Sequence, residues 1–180
     1  MGDSLNGPMA FMEWVQTCTG ILAKANKPLT WTNPIGGRCT QSPMTTKKKQ
    51  VEVNLNSRKV KYQILTPTDK INRSKSEASS SPNVIHSCDT SHLMRTTLLC
   101  EQQGITDFAM VHDSFGCAPD DAPTLLNCAK EAWIDIYKVD RMAMWYKQWS
   151  QQLGSDDLPP PPPMGNLDIT AVRNSDFFFA

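Results

Sequence analysis

Between Ile105 and Cys117 the chain reads Ile-Thr-Asp-Phe-Ala-Met-Val-His-Asp-Ser-Phe-Gly-Cys. Phe108 to Val111 is a short unbroken apolar block, the pattern of a strand covered on both faces. His112, Asp113 and Ser114 break it at once, and Phe115-Gly116 starts a return. The stretch therefore predicts a hairpin. A carboxylate fixed between two buried strands is costly unless something cationic neutralises it. Two readings stay open at this point. A divalent metal carrying a phosphate would supply the positive charge; equally, Asp113 caps an ordinary turn, as Asp does readily.

A chain of 180 residues is one domain or a piece of a larger one. Lys and Arg number 18 and Asp and Glu number 18, so net charge points to no nucleic-acid partner, and the distribution has to be read instead. Six cysteines are scattered with no Cys-x-x-Cys pair, several of them in apolar patterns. Free buried thiols in a reducing compartment are expected, and not a disulfide frame or a zinc site. No signal peptide and no membrane-spanning apolar run are visible. Asn6 stands where a myristoylation signal wants Ser or Thr.

Phe11, Trp14, Val15, Cys18, Ile21, Leu22 and Ala25 recur at helical spacing, and Pro28 ends that helix. Its apolar face wants a partner surface, and few other helices are visible to cover it. Leu29 to Thr32 reads as a strand, followed by a turn cluster at Asn33 to Gly37. Val51, Val53 and Leu55 alternate, a polar turn follows at Asn56 to Lys59, and Val60, Tyr62 and Ile64 alternate on the way back. This predicts a ribbon from about Gln50 to Leu65 with one apolar face. The other face carries Gln50, Glu52, Asn54, Lys59, Lys61 and Gln63. Such a face is either simply solvated or laid into a major groove, where Asn, Gln and Lys match base edges. In the second case Lys47 to Lys49 sit near phosphates.

Asp69 to Ser81 is rich in Ser and Lys without periodicity and reads as an exposed connection. Ser87 or Asp89 is then expected to cap a short helix running to about Gln103, stopped by Gly104. His86 and His92 lack partners at a zinc-like offset; both fit better as polar groups offered to a nucleic-acid backbone. Asp120 or Asp121 caps a long helix with Pro123 in its first turn. Val139-Asp140 shifts the phase, a second segment carries Met142, Trp145, Trp149 and Leu153, and Gly154 ends it. Pro159 to Pro163 is an extended, stiff spacer. Exposed phenylalanines at 177 to 179 would harm solubility, so the tail is expected to be buried.

Val111-His112-Asp113-Ser114-Phe115-Gly116 resembles the third catalytic motif of single-subunit, bacteriophage-type DNA-directed RNA polymerases. Ser81 to Leu93 (Ser-Pro-Asn-Val-Ile-His-Ser-Cys-Asp-Thr-Ser-His-Leu) is similar to the segment those enzymes carry just before it. Leu158 to Ile169 and Ser175 to Ala180 are similar to their carboxyl end. Order and spacing agree from about Phe11 to Ala180. Mitochondrial relatives usually place Trp where Gly116 stands, so the phage branch is the nearer resemblance.

The resemblance implies an α+β fold, the carboxyl-terminal part of a palm and fingers architecture. A small antiparallel sheet, flanking helices and a projecting β-ribbon are expected. Residues 1–28 would form a helix packing on the rest of the palm and fingers, and 29–72 a β-rich segment with a promoter-specificity ribbon at 50–65. Residues 73–153 would form the palm segment with the His-Asp hairpin, and 154–180 the proline-rich spacer and buried aromatic tail. Asp113 matches a palm aspartate that binds catalytic Mg2+, and His112 its catalytic neighbour. His86 matches a residue facing the nascent hybrid. Asn54, Lys59, Lys61 and Gln63 fall in the specificity loop. Phe177, Phe178, Phe179 and Ala180 match the tail under the active site. The implied partners are promoter DNA, the RNA–DNA hybrid, ribonucleoside triphosphates and the N-terminal part of the polymerase, with no membrane. The implied location is the cytoplasm of a phage-infected or prophage-carrying bacterial host. The family's second palm aspartate and its nucleotide-holding fingers residues have no counterpart here. The isolated chain is therefore expected to be inactive, and a non-catalytic remnant or DNA-binding module using the ribbon is the rival reading.

Overall fold

The computed structural model describes residues 5–55, 58–111, 114–176 and 178. The fold is α+β, with four α-helices and three separate two-stranded antiparallel sheets among the described residues, where one small sheet was expected. Helix α1 (Asn6–Lys24) buries Trp14, Val15, Cys18 and Leu22, the residues its spacing marks as inward. Beyond it Asn26 takes a positive φ of 53°, and its amide bridges to the backbone of Asp69 and Ile71.

Strand β1 (Leu29–Thr32) pairs with β2 (Arg38–Gln41), a strand that alternation does not announce. Strands β3 (Met44–Leu55) and β4 (Arg58–Ile71) form the ribbon, longer at its base than the predicted span. Lys47 to Lys49, expected to precede the strand, lie inside it opposite Thr66, Leu65 and Ile64.

The largest departure is helix α2 (Arg73–Gln102), one 30-residue helix in place of an exposed connection and a short helix. It starts at Asn72, whose side chain accepts from Lys75 N at 3.0 Å. Ser76, Ser80, Ser81, Val84, Cys88 and Ser91 are buried along it. Two of these serines turn their hydroxyls back to the helix: Ser80 Oγ donates to Glu77 O (2.8 Å) and Ser91 Oγ to Ser87 O (2.6 Å), whereas Ser76 Oγ is buried with no hydrogen-bond partner among the described residues. Small side chains let α1 lie close, and a Cβ on Gly20 would stand 2.2 Å from Glu77 Oε1. Pro82 inside the helix leaves the Ala78 carbonyl without its usual donor. Both residues are on the exposed side, where water serves. Thus α1 gets the cover that composition hid.

Helices α3 (Ala122–Tyr137) and α4 (Arg141–Leu153) follow, separated where the phase shifts. Asp140 caps α4 by accepting from Ala143 N, and Gly154 at φ 80° ends it. Asp121 stands at the start of α3 without a side-chain cap bond. α4 presents one row of donors to the free edge of β1. Trp145 Nε1 donates to Thr32 O and Trp149 Nε1 to Thr30 O, both at 3.0 Å. The edge is thereby covered by a helix. Trp14, Trp145 and Trp149 form the centre of the main core with Leu22, Leu29, Val84 and Leu158. Trp14 Nε1 donates to Pro159 O, seating the start of the proline run.

Candidate nucleic-acid interface and catalytic hairpin

Strands β5 (Ala109–Val111) and β6 (Ser114–Gly116) form the hairpin that the motif predicts, with Ala109 opposite Gly116 and Val111 opposite Ser114. A Cβ on Gly116 would lie 3.1 Å from Ala109 O, so glycine allows the close cross-strand approach. One face rests on a cluster of Cys100, Ile105, Leu125 and Cys128, joined by Phe108, Met110 and Phe115. The other face is open: Val111 is 63% exposed, against the expectation of cover on both sides. A two-stranded sheet backed by one helical layer covers a single face. His112 and Asp113 lie between the two strands in sequence and outside the described residues. Among the described residues no three His, Cys, Asp or Glu side chains gather into a group that would hold a metal. Asp107 and Asp120 are exposed on the surface.

Beneath the hairpin sits an aromatic group that joins His92, Phe115 and Phe178, one from each of three motifs, to Trp133 of α3. His92, on α2, is buried against α3 and not offered to a nucleic-acid backbone as its sequence context suggests, and it meets Phe115 edge-on at 5.5 Å. Its Nε2 is 2.9 Å from Ala129 O. A carbonyl only accepts, so Nε2 carries a proton and donates it to Ala129 O. Burial holds its pKa below the ordinary histidine value. Phe178 of the tail stands edge-on to the same His92 at 6.3 Å and to Trp133 of α3 at 5.9 Å. Phe178 is half-buried; Phe177, Phe179 and Ala180, with which the tail was expected to be buried, lie outside the described residues.

The tail reaches that position along α3. Its short 3-10 turn (Ile169–Asn174) is capped by Asp168, which accepts from Thr170 N at 2.9 Å. Lys130, 7% exposed, donates from Nζ to Arg173 O (3.2 Å) and Ser175 O (2.6 Å). Glu131 takes the Arg173 guanidinium with both oxygens, at 2.6 and 2.8 Å, and this pairing holds its pKa below the usual carboxylate range. The sequence did carry a signal for Lys130: it falls on the same stripe as Leu126 and Trp133, where an apolar residue is expected.

The ribbon stands away from the core, with nearly every residue between Thr46 and Pro67 exposed or half-exposed. Directly opposed residues share a face. The register puts Lys48, Gln50, Glu52, Asn54, Lys59, Lys61 and Gln63 on one face. Lys47, Lys49, Val51, Val53, Leu55, Arg58, Val60, Tyr62 and Ile64 occupy the other. The four ribbon residues singled out from sequence, Asn54, Lys59, Lys61 and Gln63, are therefore brought together. The lysine run is divided, Lys48 on that face and Lys47 and Lys49 behind it. Lys61 pairs with Glu52 at 3.2 Å in open solvent. His86 is exposed on α2, a separate element. All six cysteines are free, and burial pushes the thiols of Cys18 and Cys100 up to about 12 and of Cys88 to about 11.

Residues 1–158 match the family of DNA-dependent RNA polymerases. The chain is 34% identical over 173 residues to T7 RNA polymerase of Escherichia phage T7, covering 90% of this chain and 19% of the phage protein. It is 28% identical over 182 residues to DNA-directed RNA polymerase 1, mitochondrial, of Nicotiana sylvestris, covering 99% of this chain and 17% of that protein. It is 31% identical over 170 residues to DNA-directed RNA polymerase 2, chloroplastic/mitochondrial, of Arabidopsis thaliana, covering 94% of this chain and 16% of that relative. The chain thus spans about a fifth or less of these relatives' length, and they come from a phage and from plant organelles alike. With the match running from residue 1 through α4 and across the paired strands β5 and β6, the chain belongs to the phage-type, single-subunit DNA-dependent RNA polymerase family.

Proposed function

We propose that this chain is the carboxyl-terminal part of a DNA-dependent RNA polymerase and contributes to templated nucleotidyl transfer from ribonucleoside triphosphates. The observation that carries the reading is the match over residues 1–158, which includes the hairpin whose strands flank His112-Asp113. The chain corresponds to part of the palm and fingers, and residues 1–28, 29–72, 73–153 and 154–180 take the parts that the resemblance gives them. Asp113 is the carboxylate this segment offers to Mg2+, with His112 beside it; the second carboxylate comes from the upstream part of the polymerase. Magnesium, when bound, stabilises charge on the attacking and leaving oxygens. Phe177 to Ala180 take the role of the active-site tail that the resemblance gives them.

The ribbon's role is promoter recognition. Its Asn54, Lys59, Lys61 and Gln63 face offers amide and ammonium groups at the two-residue spacing of a strand, and a major groove admits such a ribbon. His86 meets the RNA–DNA hybrid. Apolar side chains exposed on α2 and β5, Met94, Leu98 and Val111, mark where the upstream part packs. The location follows the genome that encodes the polymerase, a bacterial cytoplasm if that is a phage.

The test is complementation. The chain is mixed with an upstream polymerase part carrying the second aspartate and the fingers residues, and Mg2+-dependent, template-dependent ribonucleotide incorporation is measured. Synthesis should appear with both parts and vanish with Asp113→Ala. Incorporation by the chain alone would sink the proposal that the site is shared. One observation favours a second reading: the ribbon is exposed on both faces and presents cations without needing the hairpin. If the chain is a DNA-binding remnant, Asp113→Ala leaves duplex binding unchanged and no upstream part restores synthesis.

A further inference from the structure

We propose that Lys130 is a positioning residue that acts through the tail on strand β6, the strand that follows His112-Asp113; the catalytic consequence rests on the role given above to Asp113. Lys130 belongs by position to the inward stripe of α3, where its stem packs as an apolar residue does. A methionine would fill that place as well. What methionine lacks is a head with several donors. The Lys130 ammonium receives Arg173 O and Ser175 O together, two carbonyls flanking Asn174. Neutral carbonyls, by turning to one buried cation, fix the direction in which the chain leaves the 3-10 turn.

Glu131, the next residue on α3, holds the side chain of Arg173 with both carboxylate oxygens. Adjacent residues of one helix thus grip backbone and side chain of the same short segment. Three residues beyond Ser175, Phe178 lies against Trp133, one turn on from Lys130, and against His92. His92 in turn meets Phe115, two residues after Asp113. The path from Lys130 to β6 therefore runs through two hydrogen bonds to the tail backbone and two ring contacts, with Trp133 bracing Phe178 from the side. Because His92 is also tied to Ala129 O, its ring cannot follow the tail outward without losing that bond.

The experiment uses the full chain with 4-fluorophenylalanine in place of Phe115, giving one fluorine resonance on β6. Lys130→Met should displace that resonance, and Lys130→Arg, which keeps donors, should leave it near the wild-type position. Phe178→Ala should displace it comparably, and the double variant no further than the larger single effect. Carboxypeptidase should release Ala180, Phe179 and Phe178 at least roughly tenfold faster from Lys130→Met, since losing even one of its two charged hydrogen bonds gives about that factor. In the complemented polymerase Lys130→Met should lower kcat with KM for nucleotides unchanged, and Lys130→Arg should restore it. An unmoved resonance, additive effects of the two variants, or an unchanged kcat would overturn the proposal. If Lys130→Met loses its helical signal, truncation after Asn174 removes Ser175 and Phe178 instead, and an unmoved Phe115 resonance again overturns it. Failure of the wild-type chain to restore synthesis would refute the polymerase reading itself and would leave the fluorine measurement standing as a separate result.

Discussion

The ribbon lets charge be separated from geometry. Lys48, Lys59 and Lys61 lie on the face with Asn54 and Gln63, whereas Lys47, Lys49 and Arg58 lie behind it. Replacing either trio by glutamine removes the same three charges from the same element. If the Asn54 face enters the groove, the Lys48, Lys59 and Lys61 side chains bridge to phosphates at its rim. Each phosphate neutralised contributes about 0.9 to the slope of log affinity against log salt. Losing three should lower the slope by about 2.7, which makes affinity between 50 and 200 mM salt fall about 40-fold less steeply. The assay is fluorescence anisotropy of the chain on labelled duplex across that salt range. The triple variant K48Q/K59Q/K61Q should show the reduced slope, and K47Q/K49Q/R58Q less than half of the change. Equal slopes for the two would mean that the ribbon attracts DNA only as a charged rod, and a larger effect from the second trio would turn the ribbon over. Either outcome refutes the facing argued here.

Trp149→Phe removes the donor to Thr30 O from a fully buried ring, leaving a carbonyl at the β1 edge unsatisfied and a void beside Trp14. The cost should be about 2–4 kcal/mol, seen as a fall in Tm of about 4–16 °C by calorimetry; a change of roughly 1 °C would mean that α4 does not hold β1 in this way. Stability should decline on acidification through the histidine range. His92 is buried and neutral with a lowered pKa, so the unfolded chain binds the proton more readily. The stability it supports is present above about pH 6.5 and is lost as pH falls toward the folded pKa. His92→Gln should remove that part of the denaturant-midpoint profile; an unchanged profile would place the proton elsewhere. In the native chain iodoacetamide at neutral pH should leave Cys18, Cys88 and Cys100 unmodified, because burial keeps their thiols protonated, and peptide mass mapping would detect the contrary. The chain without its upstream part should self-associate through the Met94, Leu98 and Val111 surface; a stable monodisperse monomer by sedimentation would refute that.

What could be read before folding, and what could not, divides along one physical line. Features written in apolar periodicity were legible: α1, the α3 to α4 phase shift at Asp140, the ribbon and the β5–β6 hairpin all stand where spacing puts them. The split of Lys47 to Lys49 between faces needed only the period of two, once the strand was known to begin earlier. The first half of α2 was not legible. Ser76, Ser80 and Ser81 look like loop residues, and their buried state depends on α1 lying across them, with the Ser80 hydroxyl turned back to Glu77 O. Nothing local encodes that neighbour. Strand β2 was missed for the same reason, since its partner β1 and helix α2, whose Ser76 O and Ser79 Oγ accept from Gln41 Nε2, define it.

The same distinction explains why the catalytic motif was easy to see and its support was not. A motif is a run of adjacent residues, and Val111 to Gly116 is adjacent in both sequence and space. The support is assembled from α2, α3, β6 and the tail: His92, Lys130, Trp133, Phe115 and Phe178 are spread over 86 positions of numbering yet meet within a few ångströms. Each has an ordinary local reading as a helix residue or a terminal aromatic. Their joint meaning depends on the tail running back along α3, which the proline run makes possible by carrying the chain stiffly from Trp14 past the core. A tail held by a lysine to carbonyls is also specific in a way apolar packing is not, because two carbonyls converging on one ammonium admit a single register. Shifting the tail by one residue would take Phe178 off His92 and Ser175 O off Lys130 together, so one perturbation of register should undo both contacts at once.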